Sequence, residues 1–257
     1  MNYPNIERLI EIIDILRSEN GCKWDREQTH ATLKRNMLEE AYEAVDAIDD
    51  NDNKHLCEEL GDVLLQVVLH SQIAKEEKAF DIEDVAKGIA DKLIHRHPHV
   101  FGNVKVNSTE EILENWEKLK KEEKPHRTSV MDGISKAQSA LMSAQKISKK
   151  AVKVGFEWNN ENDLYNCVLS EIKEFKDANT IEDKEEELGD ILFAVVNLAR
   201  WNNIDAEQAL LKANKKFMTR FRAMETYANK DLEHLSLEDW DKLWRKAKEA
   251  TKKQSSL

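Results

Sequence analysis

The sequence predicts an all-α protein made of two tandem helical bundles that descend from an internal duplication. Only 7 Gly and 3 Pro punctuate 257 residues, of which 40% are hydrophobic and 35% charged. That leaves little material for the tight turns of a β-protein. Apolar residues recur at helical spacing along most of the chain. One thirteen-residue stretch occurs twice. Glu58-Glu59-Leu60-Gly61-Asp62-Val63-Leu64-Leu65-Gln66-Val67-Val68-Leu69-His70 returns as Glu186-Glu187-Leu188-Gly189-Asp190-Ile191-Leu192-Phe193-Ala194-Val195-Val196-Asn197-Leu198, identical at eight positions and displaced by 128.

In the first half, apolar residues at 6, 9, 10, 12, 13 and 16 predict a helix, with Pro4 before it and Asn20-Gly21 as its stop signal. Gly21-Cys22-Lys23-Trp24-Asp25 reads as a loop. A second helix is expected over 32–48, carrying Glu39, Glu40 and Glu43, and the polar run 49–53 breaks it. A third, over 54–78, carries Glu59 and Asp62. Asp81 is placed to N-cap a fourth helix that ends near His95, where His97-Pro98-His99 stops it. Ser108-Thr109-Glu110-Glu111 opens a short helix that runs to the charges near Lys124-Pro125. The segment 125–133 lacks helical periodicity and reads as a linker, giving domains over 1–124 and 134–257.

The second half repeats the programme. A helix over 134–153 leads to Gly155-Phe156-Glu157-Trp158, an echo of Gly21-x-x-Trp24. Helices over 163–178, 181–201 and 205–228 follow, the last capped by Asp205. Ser236 starts a final helix with Trp240 and Trp244, and the tail 252–257 is expected to fray. Lys92-x-x-x-Arg96 matches Lys216-x-x-x-Arg220, and Trp116-x-x-x-Lys120 matches Trp244-x-x-x-Lys248.

Composition excludes several functions. A net charge of −11 does not suit a phosphate-backbone binder, so no nucleic-acid polymer is expected as a partner. The longest apolar runs, 63–69 and 191–196, are too short for a bilayer, and Met1-Asn2-Tyr3-Pro4 has no signal-peptide character. Three widely spaced cysteines, Cys22, Cys57 and Cys167, fit reduced thiols and a cytoplasmic setting.

The acids carry the chemistry. Glu40-x-x-Glu43 and Glu59-x-x-Asp62 in one half, and Glu171-x-x-Glu174 and Glu187-x-x-Asp190 in the other, each put two carboxylates on one helix face. Two such helices facing one another make a four-carboxylate box. Four carboxylates about 5 Å apart would repel by about 20 kcal/mol in all at an effective dielectric near 20. A domain's whole stability is ~5–15 kcal/mol, so protons or cations must offset that repulsion. Oxygen-only ligands favour Mg²⁺ or Mn²⁺, and Mg²⁺ commonly completes its shell with water and substrate phosphate. Glu-rich helix faces are ordinarily just solvated; recurrence of the whole set argues against that here. Gly61 and Gly189 sit inside the acidic helices despite the cost of about 1 kcal/mol relative to Ala, which points to a close approach beside the acids. Lys92, Arg96, Lys216 and Arg220 are candidates for phosphate oxygens. Trp24, Trp116, Trp158 and Trp244 are candidates for stacking a base, although tryptophan is more often core. His95, His97 and His99 have no counterpart in the second half and read as loop packing or phosphate contacts. A di-iron carboxylate bundle would need Glu-x-x-His pairs, which are absent from these motifs.

Gly21-Cys22-Lys23-Trp24-Asp25, Leu38-Glu39-Glu40-Ala41-Tyr42-Glu43, Glu58-Glu59-Leu60-Gly61-Asp62 and Lys92–Phe101 together resemble the MazG family, as do Val154–Trp158, Glu187–Asp190, Lys212-Ala213-Asn214 and Arg220-Phe221-Arg222. These are two-domain nucleoside triphosphate pyrophosphohydrolases of the all-α NTP pyrophosphatase superfamily, and the resemblance spans essentially the whole chain. It implies Mg²⁺-dependent cleavage between the α- and β-phosphates, a broad house-cleaning substrate range, and homodimers whose helices complete each bundle. It further implies metal ligation by Glu40, Glu43, Glu59 and Asp62 and by Glu171, Glu174, Glu187 and Asp190. Lys216, Arg220 and Trp244 correspond to substrate contacts. Glu40 or Glu171 is the candidate proton acceptor. Three departures stand out: Lys23 replaces a common Pro, the 133–135 region lacks the family's prolines, and Ser170 stands where the first half has Glu39. Two alternatives stay open, a non-catalytic nucleotide-binding or dimer-building half and a narrower dUTP, dCTP or phosphoribosyl-ATP hydrolase.

Overall fold

In the computed structural model, which describes residues 3–228 and 232–254, every regular element is helical. The chain divides into two compact units, Met1–Lys124 and Pro125–Leu257. The first contains α1 (Pro4–Arg17), α2 (Lys23–Glu27), α3 (His30–Asp49), α4 (Asn53–Glu76), α5 (Ile82–Arg96), α6 (Pro98–Phe101) and α7 (Thr109–Glu122). The second contains α8 (Ala140–Val152), α9 (Glu161–Asp177), α10 (Ile181–Trp201), α11 (Ala206–Tyr227), a 3-10 turn at Leu232–His234, and α12 (Leu237–Gln254).

The heart of the first unit is a helical hairpin, α3 against α4, joined by residues 50–52. Thr29 caps α3 in a reciprocal box with Thr32, and Asp52 accepts from the first amides of α4. Asn51 ends α3 with φ 54, a left-handed geometry that Asn tolerates. Helix α1 lies along α4, so Ile13, Leu33, Val68, Leu69 and Ile73 close a small core, with Leu9, Leu16 and Leu65 against it. The second unit builds the same hairpin from α9 and α10, joined by residues 178–180, with α8 against α10 and α12 against α11. Leu164, Val196, Met224 and Ala247 are buried in it.

Both Gly-x-x-Trp echoes have a backbone cause. A Cβ at Gly21 would lie 2.3 Å from the Leu16 carbonyl oxygen, because the Cys22 amide turns back to that same oxygen at 2.8 Å. At Gly155 φ is 90, which lets the Phe156 amide reach the Ala151 carbonyl at 3.1 Å.

Several sequence expectations need correction. The Gly21–Asp25 loop gives way to a helical turn at Lys23. The helix expected over 134–153 begins only at Ala140: Ser135 Oγ takes the Ala137 amide in a local turn, and Ser139 caps the helix through the Met142 amide. The third helix stops at Glu76, two residues early, because Lys78 adopts φ 59. Helix α12 continues to Gln254, and the rest of the tail expected to fray, 255–257, lies outside the described residues.

Candidate metal and phosphate sites

Each helical hairpin brings three acids together. In the first unit a carboxylate oxygen from each of Glu40, Glu43 and Glu59 lies within 4.8 Å of the others; in the second the group is Glu171, Glu187 and Asp190. Three of the four acids expected in each half therefore converge, two helices contributing to each group. Asp62 falls outside the first group, yet its charge is felt there. The Glu40 carboxyl is pushed up by partial burial and then by Asp62, Glu43 and Glu59. Glu174 falls outside the second, its Oε1 accepting from the Ser170 hydroxyl at 2.9 Å, yet its charge is felt at Glu187. The Cys167 thiol sits 3.7 Å from Glu171 Oε1 and is pushed up by burial and by that carboxylate.

The groups are short of positive charge. Glu59 is 7% exposed; His55 reaches its Oε1 at 2.9 Å, while its Oε2 is buried with no hydrogen-bond partner. Glu43 has an oxygen within 4.8 Å of Glu59, and its carboxyl is raised by burial and then by Glu59. Glu187 is likewise raised, by burial and then by Glu174, Asp190 and Glu171. An orphaned buried oxygen, acids that hold protons too tightly and an oxygen-only donor set fit a hard divalent cation.

The glycine expectation fails within the chain. A Cβ at Gly61 or Gly189 would meet nothing within 4 Å beyond its own helix turn, so among the described residues no other element packs against either.

The cationic candidates sit on α5 and α11. Lys92 and Lys216 are exposed. Arg96 is bound by both oxygens of Glu123, with Nε at 2.9 Å from Oε1 and Nη2 on Oε2, and lies 5.2 Å from the Trp116 ring centroid. Arg220 lies 5.8 Å from the Trp244 ring and donates to Thr251 Oγ1 at 3.4 Å. Trp24 is exposed and Trp158 half-buried. His95 contacts Glu123 at 3.3 Å and His97 the Leu93 carbonyl at 2.7 Å, so these two serve local packing. Among the described residues the two acidic groups are the metal-competent clusters, and the histidines form none.

Three features escaped the sequence reading. Trp244 belongs to a cavity of about 310 Å³ lined by Phe217, Phe221, Met224, Trp240 and Asp241. The i, i+4 spacing of Phe217 with Phe221 and of Trp240 with Trp244 could have revealed it. His55 is an i, i+4 neighbour of Glu59, also legible in principle. The stacked pair of His30 and His70, Nδ1 to Nδ1 at 2.7 Å, joins residues too far apart in sequence for any spacing rule.

Fold and clusters together define an all-α protein with a duplicated acidic site suited to cations. The model of the MazG nucleotide pyrophosphohydrolase domain matches residues 28–101 and 159–224, and each match contains one acidic group. The chain belongs to that family. It is 46% identical over 246 residues to the nucleoside triphosphate pyrophosphohydrolase/pyrophosphatase MazG of Thermotoga maritima, covering 94% of this chain and 95% of that protein. It is 44% identical over 254 residues to a nucleoside triphosphate pyrophosphohydrolase of Escherichia coli K12, covering 95% and 97% respectively. A crystal structure of a MazG-related protein from Thermotoga maritima shares 34% identity at a TM-score of 0.39, covering 45% of this chain and 98% of that one.

Proposed function

We propose that the chain is a Mg²⁺-dependent nucleoside triphosphate pyrophosphohydrolase. It splits the α–β phosphoanhydride of ribo- and deoxyribonucleoside triphosphates, with broad base tolerance, to a monophosphate and pyrophosphate. The observation that carries this reading is the duplicated convergence of three carboxylates within 4.8 Å, one oxygen of the first group buried and unpartnered. The relatives named nucleoside triphosphate pyrophosphohydrolase support the reaction type.

Glu40, Glu43 and Glu59, with Asp62 alongside, would hold the ion in one unit; Glu171, Glu187 and Asp190, with Glu174 alongside, would hold it in the other. When bound there, Mg²⁺, or Mn²⁺ in its place, would supply neutralisation of phosphate charge and a more acidic water. The side chains of this protein do the rest. Glu40, whose proton affinity is already raised, or Glu171 at the matching position, accepts the proton of the attacking water. Lys92, Arg96, Lys216 and Arg220 meet phosphate oxygens and offset charge growing on the leaving pyrophosphate. Trp116 and Trp244 offer ring faces to the base.

A homodimer is part of the proposal. Leu60 and Leu64 on α4, and Leu188, Leu192 and Val195 on α10, leave apolar faces exposed beside the acids, and a second copy would cover them. A cytoplasmic location is proposed too. No helix among the described residues is long and apolar enough to cross a membrane, and all three thiols are free.

The test is incubation with each NTP and dNTP plus Mg²⁺, resolving monophosphate plus pyrophosphate from diphosphate plus phosphate. The proposal expects the first pair from most substrates and none after chelation. Diphosphate and phosphate would contradict the bond assignment, and turnover of a single nucleotide would favour the narrower hydrolase.

A further inference from the structure

Each unit sets an arginine over a tryptophan, then treats the two arginines differently. Arg96 ends α5 above Trp116 of α7; Arg220 lies on α11 above Trp244 of α12. Glu123 reaches the first guanidinium and Thr251 the second, and these two residues stand 128 positions apart, as the tryptophans do. Glu123 occupies the Nε–Nη2 edge of Arg96 with both oxygens, and His95 adds a contact to the same carboxylate. Thr251 is neutral. Its Oγ1 accepts from Arg220 Nε at a long 3.4 Å, while its own hydroxyl is directed at the Ala247 carbonyl, 3.0 Å away.

The forked edge of a guanidinium is the one that matches a carboxylate or a phosphate, and it cannot serve both at once. The side chains of the Arg96–Glu123 pair are only 12% and 21% exposed, so solvent screens it less than a surface pair. Arg96 holds the Glu123 carboxyl down to about 2, which keeps the competing charge in place throughout the physiological range.

We propose that Glu123 is an internal competitor for the phosphate-binding edge of Arg96, and that Thr251 is its neutral counterpart at Arg220. Glu123 is thus a specificity-determining residue: phosphate groups bind the second unit in preference to the first, where they must displace a carboxylate. The inference rests on the proposal that these arginines meet substrate phosphate.

The experiment exchanges the two residues in the full chain and titrates Mg²⁺ plus inorganic pyrophosphate calorimetrically. Steady-state pyrophosphate release from nucleoside triphosphates runs in parallel. Glu123→Thr should tighten the weaker class of pyrophosphate sites by roughly tenfold to a hundredfold, the range for a charge-assisted contact. Thr251→Glu should weaken the tighter class by a similar factor and raise KM more than it lowers kcat. Glu123→Gln, which keeps the side-chain length, should act as Glu123→Thr does, and Thr251→Gln should act far less than Thr251→Glu. Far-UV circular dichroism on melting verifies that each variant is folded. Affinities unmoved by both exchanges, no pyrophosphate binding by any variant, or equal weakening by Thr251→Gln and Thr251→Glu would each overturn the proposal. If no nucleotide yields pyrophosphate while the titrations follow the expected pattern, the competitor stands and the hydrolase reading falls.

Discussion

Glu59→Gln should make the metal-free protein more stable and the metal-loaded protein less so. Glu59 is the most buried acid of its group; one oxygen meets His55 at 2.9 Å and the other has no partner, while a Glu43 oxygen lies within 4.8 Å of the carboxylate. A buried polar atom left unsatisfied costs about 1–3 kcal/mol. Gln is nearly isosteric, carries no charge, and gives the Glu43 carboxylate an amide donor. Without metal the substitution should therefore recover about 1–3 kcal/mol, which is roughly 3–10 °C in Tm for a unit of this size. With metal the balance reverses. An ion at a hundred times its Kd stabilises the native protein by about 2.7 kcal/mol, and a box that has lost one carboxylate forfeits most of that gain. The assay is thermal melting in EDTA and in saturating Mg²⁺ for both proteins. A variant less stable than the parent in EDTA, yet equally responsive to Mg²⁺, would refute the reasoning.

Further outcomes follow from the same geometry. Glu40, Glu43 and Glu187 hold protons more tightly folded than unfolded, so their contribution is full below the ordinary carboxylate pKa of 4.5 and is lost as pH rises through their raised values. Glu76, lowered by Arg17, and Glu123 oppose this at the acid end, their stabilisation disappearing as pH falls through their depressed values. Tm in EDTA should thus be highest on the acid side of neutrality, and saturating Mg²⁺ should flatten that side; superimposable profiles would contradict this. Gly61→Ala and Gly189→Ala should each stabilise the isolated chain by about 0.5–1 kcal/mol, since a methyl group meets nothing there. Lost turnover or lost self-association in these stabilised variants, read by pyrophosphate release and light scattering, would locate the close approach in a ligand or a second copy. Unchanged activity and assembly would mean that nothing approaches.

The helices were legible because their signals are local. Asp81 and Asp205 cap where expected, and the α10 boundaries, Ile181–Trp201, follow its apolar stripe, with Thr180 as its N-cap. The duplicated acids were legible for the same reason, since i, i+3 spacing on one helix fixes a shared face. Which acids meet across two helices is a matter of register, and it differs between the hairpins: Glu40, Glu43 and Glu59 converge in the first, Glu171, Glu187 and Asp190 in the second. The start of α8 was misplaced because Ser135 and Ser139 satisfy amides locally, while apolar periodicity continues through residue 134. The Arg96–Glu123 pair spans 27 residues and two helices, beyond the reach of any spacing rule.

Counting divalent ions tests the central claim most directly. Mn²⁺ binding to the nucleotide-free chain, followed by electron paramagnetic resonance, should saturate with an ion at each acidic group. Glu59→Gln should remove the site of the first unit alone, and Glu187→Gln that of the second alone. Mn²⁺ uptake unaltered by either substitution would contradict the account.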